Sequence, residues 1–422
     1  SSAASDVYKR QVLQPMFSNL ESGISSVTNS QLNLITLIQV HHSLVAMGNI
    51  IKGLESLRSE TLVNTKFLNL FNQISQVIFI TLDNFVDFNI IRECIQFCVV
   101  RMFITLHNEN ESNKELLQTI LSKFISCIMI NFDKLKSVEI INFVNFVSQI
   151  LHQTSDNQSS YALMSSLLAP FLNKAFYRIE SDQGKVTDDF SKKEVLDLER
   201  SILSMIVAVS NDHLNSMWLA STENKDTLIN VIKLMLNYAS NYSSTDLSVV
   251  KLAILVLNML CQGVGSGIVI DPLDNFKNNE NKFEQADEIL INNCVLLGIE
   301  LGLKTPAGNK QLLKDAQFRN NVTLETCRLM KGIAHLGFEY PDANTLQKKK
   351  ADVMSNNSTN MNNKQVMPLP TGFNEMKCQQ ITSVLVNNFG FPGDLATDLV
   401  QNLVASTDRQ FMKYLVALVE KF

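Results

Sequence analysis

Glycine and proline are scarce, 15 and 8 among 422 residues. That shortage disfavours an all-β architecture, which spends both at its turns, and suits helices. Charge is scarce as well: 18% of residues are charged and the net is −5 at pH 7. A chain of that balance does not grip nucleic acid by bulk attraction, although local basic faces remain open to it. The seven cysteines, Cys94, Cys98, Cys127, Cys261, Cys294, Cys327 and Cys378, fall at no metal-ligand spacing. Cys94 and Cys98 are one helical turn apart beside Ile95 and Val99, as small core residues in a reducing compartment would be. No run reaches the ~20 consecutive apolar residues of a membrane span. The nearest, Val249–Leu260, is interrupted by Lys251 and Asn258. The expectation is therefore no membrane, no secretory signal, and residence in the cytosol or nucleus.

Catalytic constellations are missing too. Adjacent His41 and His42 would point about 100° apart on a helix and cannot share one metal. His107, His152, His213 and His335 have no Cys or carboxylate partner at ligand spacing. The run Gly263-Val264-Gly265-Ser266-Gly267 lacks the Lys-Ser/Thr of a phosphate loop and follows a helical pattern, not a strand. The expectation is no enzyme, no cofactor and no metal.

What the chain has in quantity is period-3.6 amphipathicity. The long stretch Gln31–Leu57 places Leu37, Val40, Leu44, Met47, Ile51 and Leu54 at alternating spacings of three and four. That is one stripe of a helix about seven turns long. Asn33, Gln39, Ser43, Asn49 and Arg58 occupy the other side, so the stripe must bury against a neighbour. Gly48 beside it would let a second helix cross closely. The same pattern recurs to the C-terminus. Asp83 or Asn84 is expected to cap the helix of Phe88–Met102, Asp246 that of Leu247–Cys261, and Pro392 to open Pro392–Leu403. Pro170 is expected to kink or split Tyr161–Ile179. Trp218 falls in a short element before Asp226–Ala239.

The first helices of successive pairs recur roughly every 45–65 residues, the spacing of helical hairpins in an α-solenoid of the HEAT kind. The fold class expected is all-α, built of HEAT-like antiparallel helix pairs. Residues 12–340 would be the solenoid, 341–373 a disordered Asn/Lys-rich linker containing Lys348-Lys349-Lys350, and 374–422 capping helices. Residues 1–11, SSAASDVYKRQ, are read as adapter-derived. The transposase-adapter end GCAGCGTCAGATGTGTATAAGAGACAG encodes Ala3 through Gln11 codon by codon. On that reading the natural sequence begins near Val12 and its own N-terminal part is missing. If second helices line the concave face, Lys52, Arg58, Arg92, Arg101, Lys174 and Arg178 are the candidate RNA contacts, as phosphate clamps on an A-form surface.

Four segments carry a resemblance. His41–Gly48 (HHSLVAMG) running on through Ile51–Leu54, Asn142–His152 (NFVNFVSQILH), Ser166–Glu180 (SLLAPFLNKAFYRIE) and Thr407–Leu418 (TDRQFMKYLVAL) resemble, in order, stretches of the C-terminal half of the yeast-type exportin-T family of importin-β-like karyopherins. The high Asn content fits a yeast with an AT-rich genome. The resemblance implies a HEAT-repeat receptor, monomeric and not an enzyme. Such a receptor binds tRNA cooperatively with Ran-GTP, passes nuclear pore proteins, releases tRNA in the cytoplasm, and so shuttles between nucleus and cytoplasm. It further implies that Ran contacts lie mainly in N-terminal repeats absent here. A karyopherin with protein cargo and a non-transport HEAT scaffold are the competing readings.

Overall fold

The computed structural model describes residues 13–55, 65–107, 111–154, 158–212, 214–265, 271–275, 284–335 and 375–421. The expected adapter segment 1–11, the linker 341–373 with its lysine run, Arg58 and His213 lie outside the described residues. Among those residues every regular element is a helix. In order they are α1 Gln14–Thr28, α2 Leu34–Glu55, α3 Thr65–Asn84, α4 Asn89–Leu106, α5 Glu111–Ile130, α6 Ser137–Thr154, α7 Gln158–Gln183, α8 Asp189–Asn211, α9 Thr222–Ser240, α10 Leu247–Gly265, α11 Glu284–Ile299, α12 Leu324–His335, α13 Glu375–Phe389, α14 Gly393–Ala405 and α15 Asp408–Lys421. Short turns of 3-10 and π helix lie between some of them.

The chain divides into two compact units, residues 1–149 and 150–422. In the first, α1 and α2 form an antiparallel hairpin: the Asn19 amide donates to Ser43 Oγ at 3.3 Å, and a methyl on Gly23 would collide with Val40. α1, α3 and α5 pack side by side, and α2 packs on α4. The rings of Phe103 and Phe146 meet edge to face, centroids 5.5 Å apart, tying α4 to α6. The predicted stripe is buried at Val40, Leu44, Met47, Ile51 and Leu54. Each such side chain contributes about 1.5–3 kcal/mol by leaving water. Ser43, expected on the polar side, is buried because α1 covers it and supplies Asn19 as its partner.

Gly48 acts as its position suggested. An ideal Cβ there would lie 2.4 Å from the Phe97 ring of α4. Only hydrogen leaves room for that approach. Gly48→Ala is therefore expected to destabilise the protein by about 1–3 kcal/mol through overpacking, despite alanine's better helix propensity. Urea unfolding followed by far-UV circular dichroism measures it; an unchanged or raised midpoint would contradict the packing described.

In the second unit α7, α9 and α11 pack in succession, with α8, α10 and α12 alongside them. α13, α14 and α15 all pack on α12. A 3-10 turn, Asn215–Leu219, carries Trp218 into the core with no exposed surface. Two layers of helices stacked in chain order within each unit give all-α packing of the α-solenoid class.

Local expectations fail where tertiary packing outweighs a local signal. Pro170 lies inside the continuous helix α7 and so does not split it. Leu167, Leu168, Ala169, Phe171 and Leu172 are buried around it, and that burial offsets the roughly 3 kcal/mol an interior proline costs. Asp83 and Asn84 belong to the last turn of α3, and α4 begins after Phe88 without a side-chain cap. Pro392 is the N-cap of α14, one residue ahead of the position expected. Asp246 does cap, its carboxylate accepting the Ser248 N–H at 2.8 Å.

Leu34–Leu54 is long and apolar enough to cross a membrane by length and composition, contrary to the expectation that no segment is. Averaged hydropathy tolerates single polar residues such as Gln39, His42 and Asn49, which break a continuous run. One third (33%) of its most apolar window is buried in the protein, where α1 and α4 pack on the stripe.

Candidate nucleic-acid interface

A phosphate clamp needs a cation that water, not a carboxylate, currently solvates. Among the described residues Lys52 meets that condition: it is exposed in the last turns of α2, one turn after Gly48. Arg101 is half-buried on α4 and its guanidinium lies over the Phe97 ring, 5.3 Å from the centroid. The ring that Gly48 admits thus also carries a cation on its face, an attraction of about 0.5–1 kcal/mol at such a site. Lys174 is half-buried on α7. Arg178, one turn on, is ion-paired with Asp182, both side chains about three-quarters or more buried.

Arg92 corrects the sequence-based reading. Its side chain is 4% exposed and makes a two-pronged ion pair with Glu139, Nε to Oε1 at 2.8 Å and Nη2 to Oε2 at 2.7 Å. It also donates to the carbonyls of Val86 and Lys134. It is a buried clamp between α4 and the start of α6 and offers no surface to a phosphate. The reason it misled is periodic: Arg92 falls beside the buried stripe of Ile91 and Ile95, and its partner is 47 residues away. Lys174 and Arg178 are displaced in another sense. They sit on α7, in the layer of α9 and α11, and so not on a second helix of a pair.

Sequence reasoning passed over two aromatics. Tyr177 on α7 and Phe190 on α8 are each 72% exposed. Lys123 on α5, also exposed, has its ammonium 5.8 Å from the Phe79 centroid. Exposed aromatic faces such as Tyr177 and Phe190 are materials of sequence-tolerant RNA contact, whereas Phe79 is buried and only its Lys123 is presented to solvent. A search for aromatics at the polar positions of each helical stripe would have found the first two.

The remaining buried chemistry holds the fold together. Burial pushes the Glu199 and Glu325 carboxyls up, against hydrogen bonds from Tyr238 and Arg328. It raises the Cys94 thiol to about 11 and the Cys98 and Cys327 thiols further. Thiols so shifted stay protonated and unreactive. His41 and His42 are 5.6 Å apart between ring centroids, His41 half-buried and His42 exposed. Among the described residues no group of three or more His, Cys, Asp or Glu could hold a metal. Gly263 and Gly265 close the last turn of α10.

Comparison with known proteins supplies what the geometry leaves open. The family model described as Exportin-T matches residues 2–360; the match begins within the stretch read above as adapter-derived. An Exportin-T of Debaryomyces hansenii is 30% identical over 97% of this chain and 36% of that protein. One from Candida albicans is 30% identical over 73% of this chain and 30% of its own length. That of Saccharomyces cerevisiae is 23% identical over 96% of this chain and 36% of its own length. The chain spans about a third of the length of the curated relatives it matches.

Proposed function

The chain belongs to the Exportin-T family, and from that premise we propose that it forms part of a nuclear export receptor for tRNA. In this reading the receptor wraps tRNA cooperatively with Ran-GTP, meets nuclear pore proteins in transit, and releases its cargo in the cytoplasm. It acts as a monomer, moves between nucleus and cytoplasm, and catalyses nothing. The observation that carries the proposal is the family match along 2–360, supported by relatives aligned over nearly the whole chain. The physics is compatible with it. A net charge of −5 leaves tRNA affinity weak on its own, so a second ligand favouring the same arrangement of repeats can switch binding on, and its loss can switch it off.

Within this chain Lys52, Arg101 and Lys174 are the proposed phosphate contacts. Arg58 joins them on sequence grounds alone, and Arg178 would have to exchange Asp182 for phosphate. The test is tRNA binding by the chain extended to the full length of its relatives, titrated with and without Ran-GTP at two salt concentrations. Strong enhancement by Ran-GTP is the expected result. Lys52→Glu should then weaken binding to all tRNAs alike and flatten the salt dependence by about one ion. Ran-GTP binding without tRNA would keep the karyopherin and change its cargo; a chain indifferent to both would leave a scaffold.

A further inference from the structure

A sulfur–sulfur contact joins two helices of the second unit. α10 carries a buried row of Ile254, Leu257 and Cys261, and α11 one of Leu290, Cys294 and Leu297, each at spacings of three and four. The two helices pack together. Cys261 and Cys294 meet there, 1% and 0% exposed, and their thiols hydrogen-bond to each other. Both thiols are free. Packing alone does not call for two sulfurs, since an alanine or a valine fills such a place as well. Other thiols of the chain are engaged differently. Cys98 donates to the Leu44 carbonyl at 3.3 Å, and Cys127 accepts from the Asn131 amide at 3.7 Å. Cys94 and Cys98 share one helix, so a bond between them would join no second element.

We infer that Cys261 and Cys294 are a dithiol pair that a peroxide converts to a disulfide, fastening α10 to α11. Thiols already in hydrogen-bond contact need only a short approach to reach the sulfur–sulfur bond of about 2.05 Å. In the first step the peroxide O–O bond breaks. One oxygen goes to a cysteine sulfur, giving a sulfenic acid, and the other leaves as water with the thiol proton. The second thiol then attacks that sulfur: the S–S bond forms, the S–O bond breaks, and a second water leaves with the second proton. Two thiols and one hydrogen peroxide thus give one disulfide and two waters, the sulfurs oxidised and the peroxide oxygens reduced. Full burial keeps the oxidant out until α10 and α11 part locally, so the reaction is slow. The same burial holds the second thiol against the first, and bridging outruns further oxidation. The bond closes the chain between residues 261 and 294 and takes that freedom from the unfolded state. tRNA binding plays no part in the inference and stands or falls separately.

The experiment treats the unmutated chain with hydrogen peroxide, quenches with catalase, alkylates under denaturing conditions and maps tryptic peptides by mass spectrometry without reduction. The expected product is a linked pair of peptides containing Cys261 and Cys294, lighter than the two free peptides by two hydrogens. A second measurement uses the Cys127→Ser, Cys378→Ser chain, because those two thiols are only half-buried and would bridge between molecules. Its melting temperature, followed by circular dichroism, should rise by about 4–6 °C on oxidation and fall back with dithiothreitol. Cys294→Ala added to that chain should abolish both the bridge and the rise. The peptide map of the unmutated chain needs no substitution and so does not depend on how well that variant folds. Sulfinic or sulfonic acid at Cys261 or Cys294 without a bridge would overturn the inference. So would both residues remaining alkylated after Cys127 and Cys378 have been oxidised, or a bridge from either one to a different cysteine. A bridge that forms but lowers the melting temperature would show that the helices must be forced together, and would overturn it equally.

Discussion

Arg92→Met is expected to destabilise the protein by about 3–5 kcal/mol, because it leaves one member of a buried ion pair without its counter-charge. Glu139 is buried, and its remaining partner would be the N–H of Lys136 at 2.9 Å. The carbonyls of Val86 and Lys134 would lose their shared donor at the same time. Those two carbonyls belong to the α3–α4 loop and to the 3-10 turn ahead of α6. One guanidinium therefore fastens two connections as well as two helices. Arg92→Lys should recover only part of the loss, since an ammonium is a point donor and cannot engage both carboxylate oxygens in the plane of the fork. Arg92→Met combined with Glu139→Leu should cost less than Arg92→Met alone, because the uncompensated charge leaves with its partner. Urea titrations of the three variants measure these differences. A loss below ~1 kcal/mol for Arg92→Met would show that water reaches Glu139 and that the pair behaves as a surface bridge.

Trp218→Ala is expected to cost about 3–5 kcal/mol in the second unit. The indole is fully buried in the Asn215–Leu219 turn, and it is the chain's single tryptophan. The turn is held from outside by Asn224, whose side-chain amide donates to the carbonyls of Met217 at 2.7 Å and Ser165 at 2.9 Å. Removing the ring empties a volume that this bonded frame cannot collapse to fill. Trp218→Phe, in contrast, should cost under about 1.5 kcal/mol. The indole Nε1 has no hydrogen-bond partner in the structure, so the substitution gives up volume without breaking a bond. A loss for Trp218→Phe as large as for Trp218→Ala would mean that the N–H is bonded after all. Circular dichroism follows all three proteins, and in the wild type tryptophan fluorescence reports the same unit independently.

The helical pairs were legible because their signal is local. Val40, Leu44, Met47 and Ile51 repeat with the pitch of the helix itself, so any window of the chain announces which side must be covered. Gly48 was legible for the same reason, as a gap beside a known stripe. The candidate interface was much less so. Periodicity can say that Arg92 lies beside Ile91 and Ile95, but not that Glu139 waits opposite. A charge at the border of a stripe is equally consistent with solvent and with a buried partner.

What the sequence by itself determined is the helical class, the order of the elements and, through the ordered match, the family. Each follows from local spacing or from residues read in series. The tertiary structure alone decided which charges are free. It buried Arg92 against Glu139 across 47 positions, neutralised Arg178 with Asp182, laid Arg101 over Phe97, and left Lys52 in water. It also continued α7 past Pro170. Those outcomes depend on which stripes meet, and a stripe specifies that it must be covered without specifying by what.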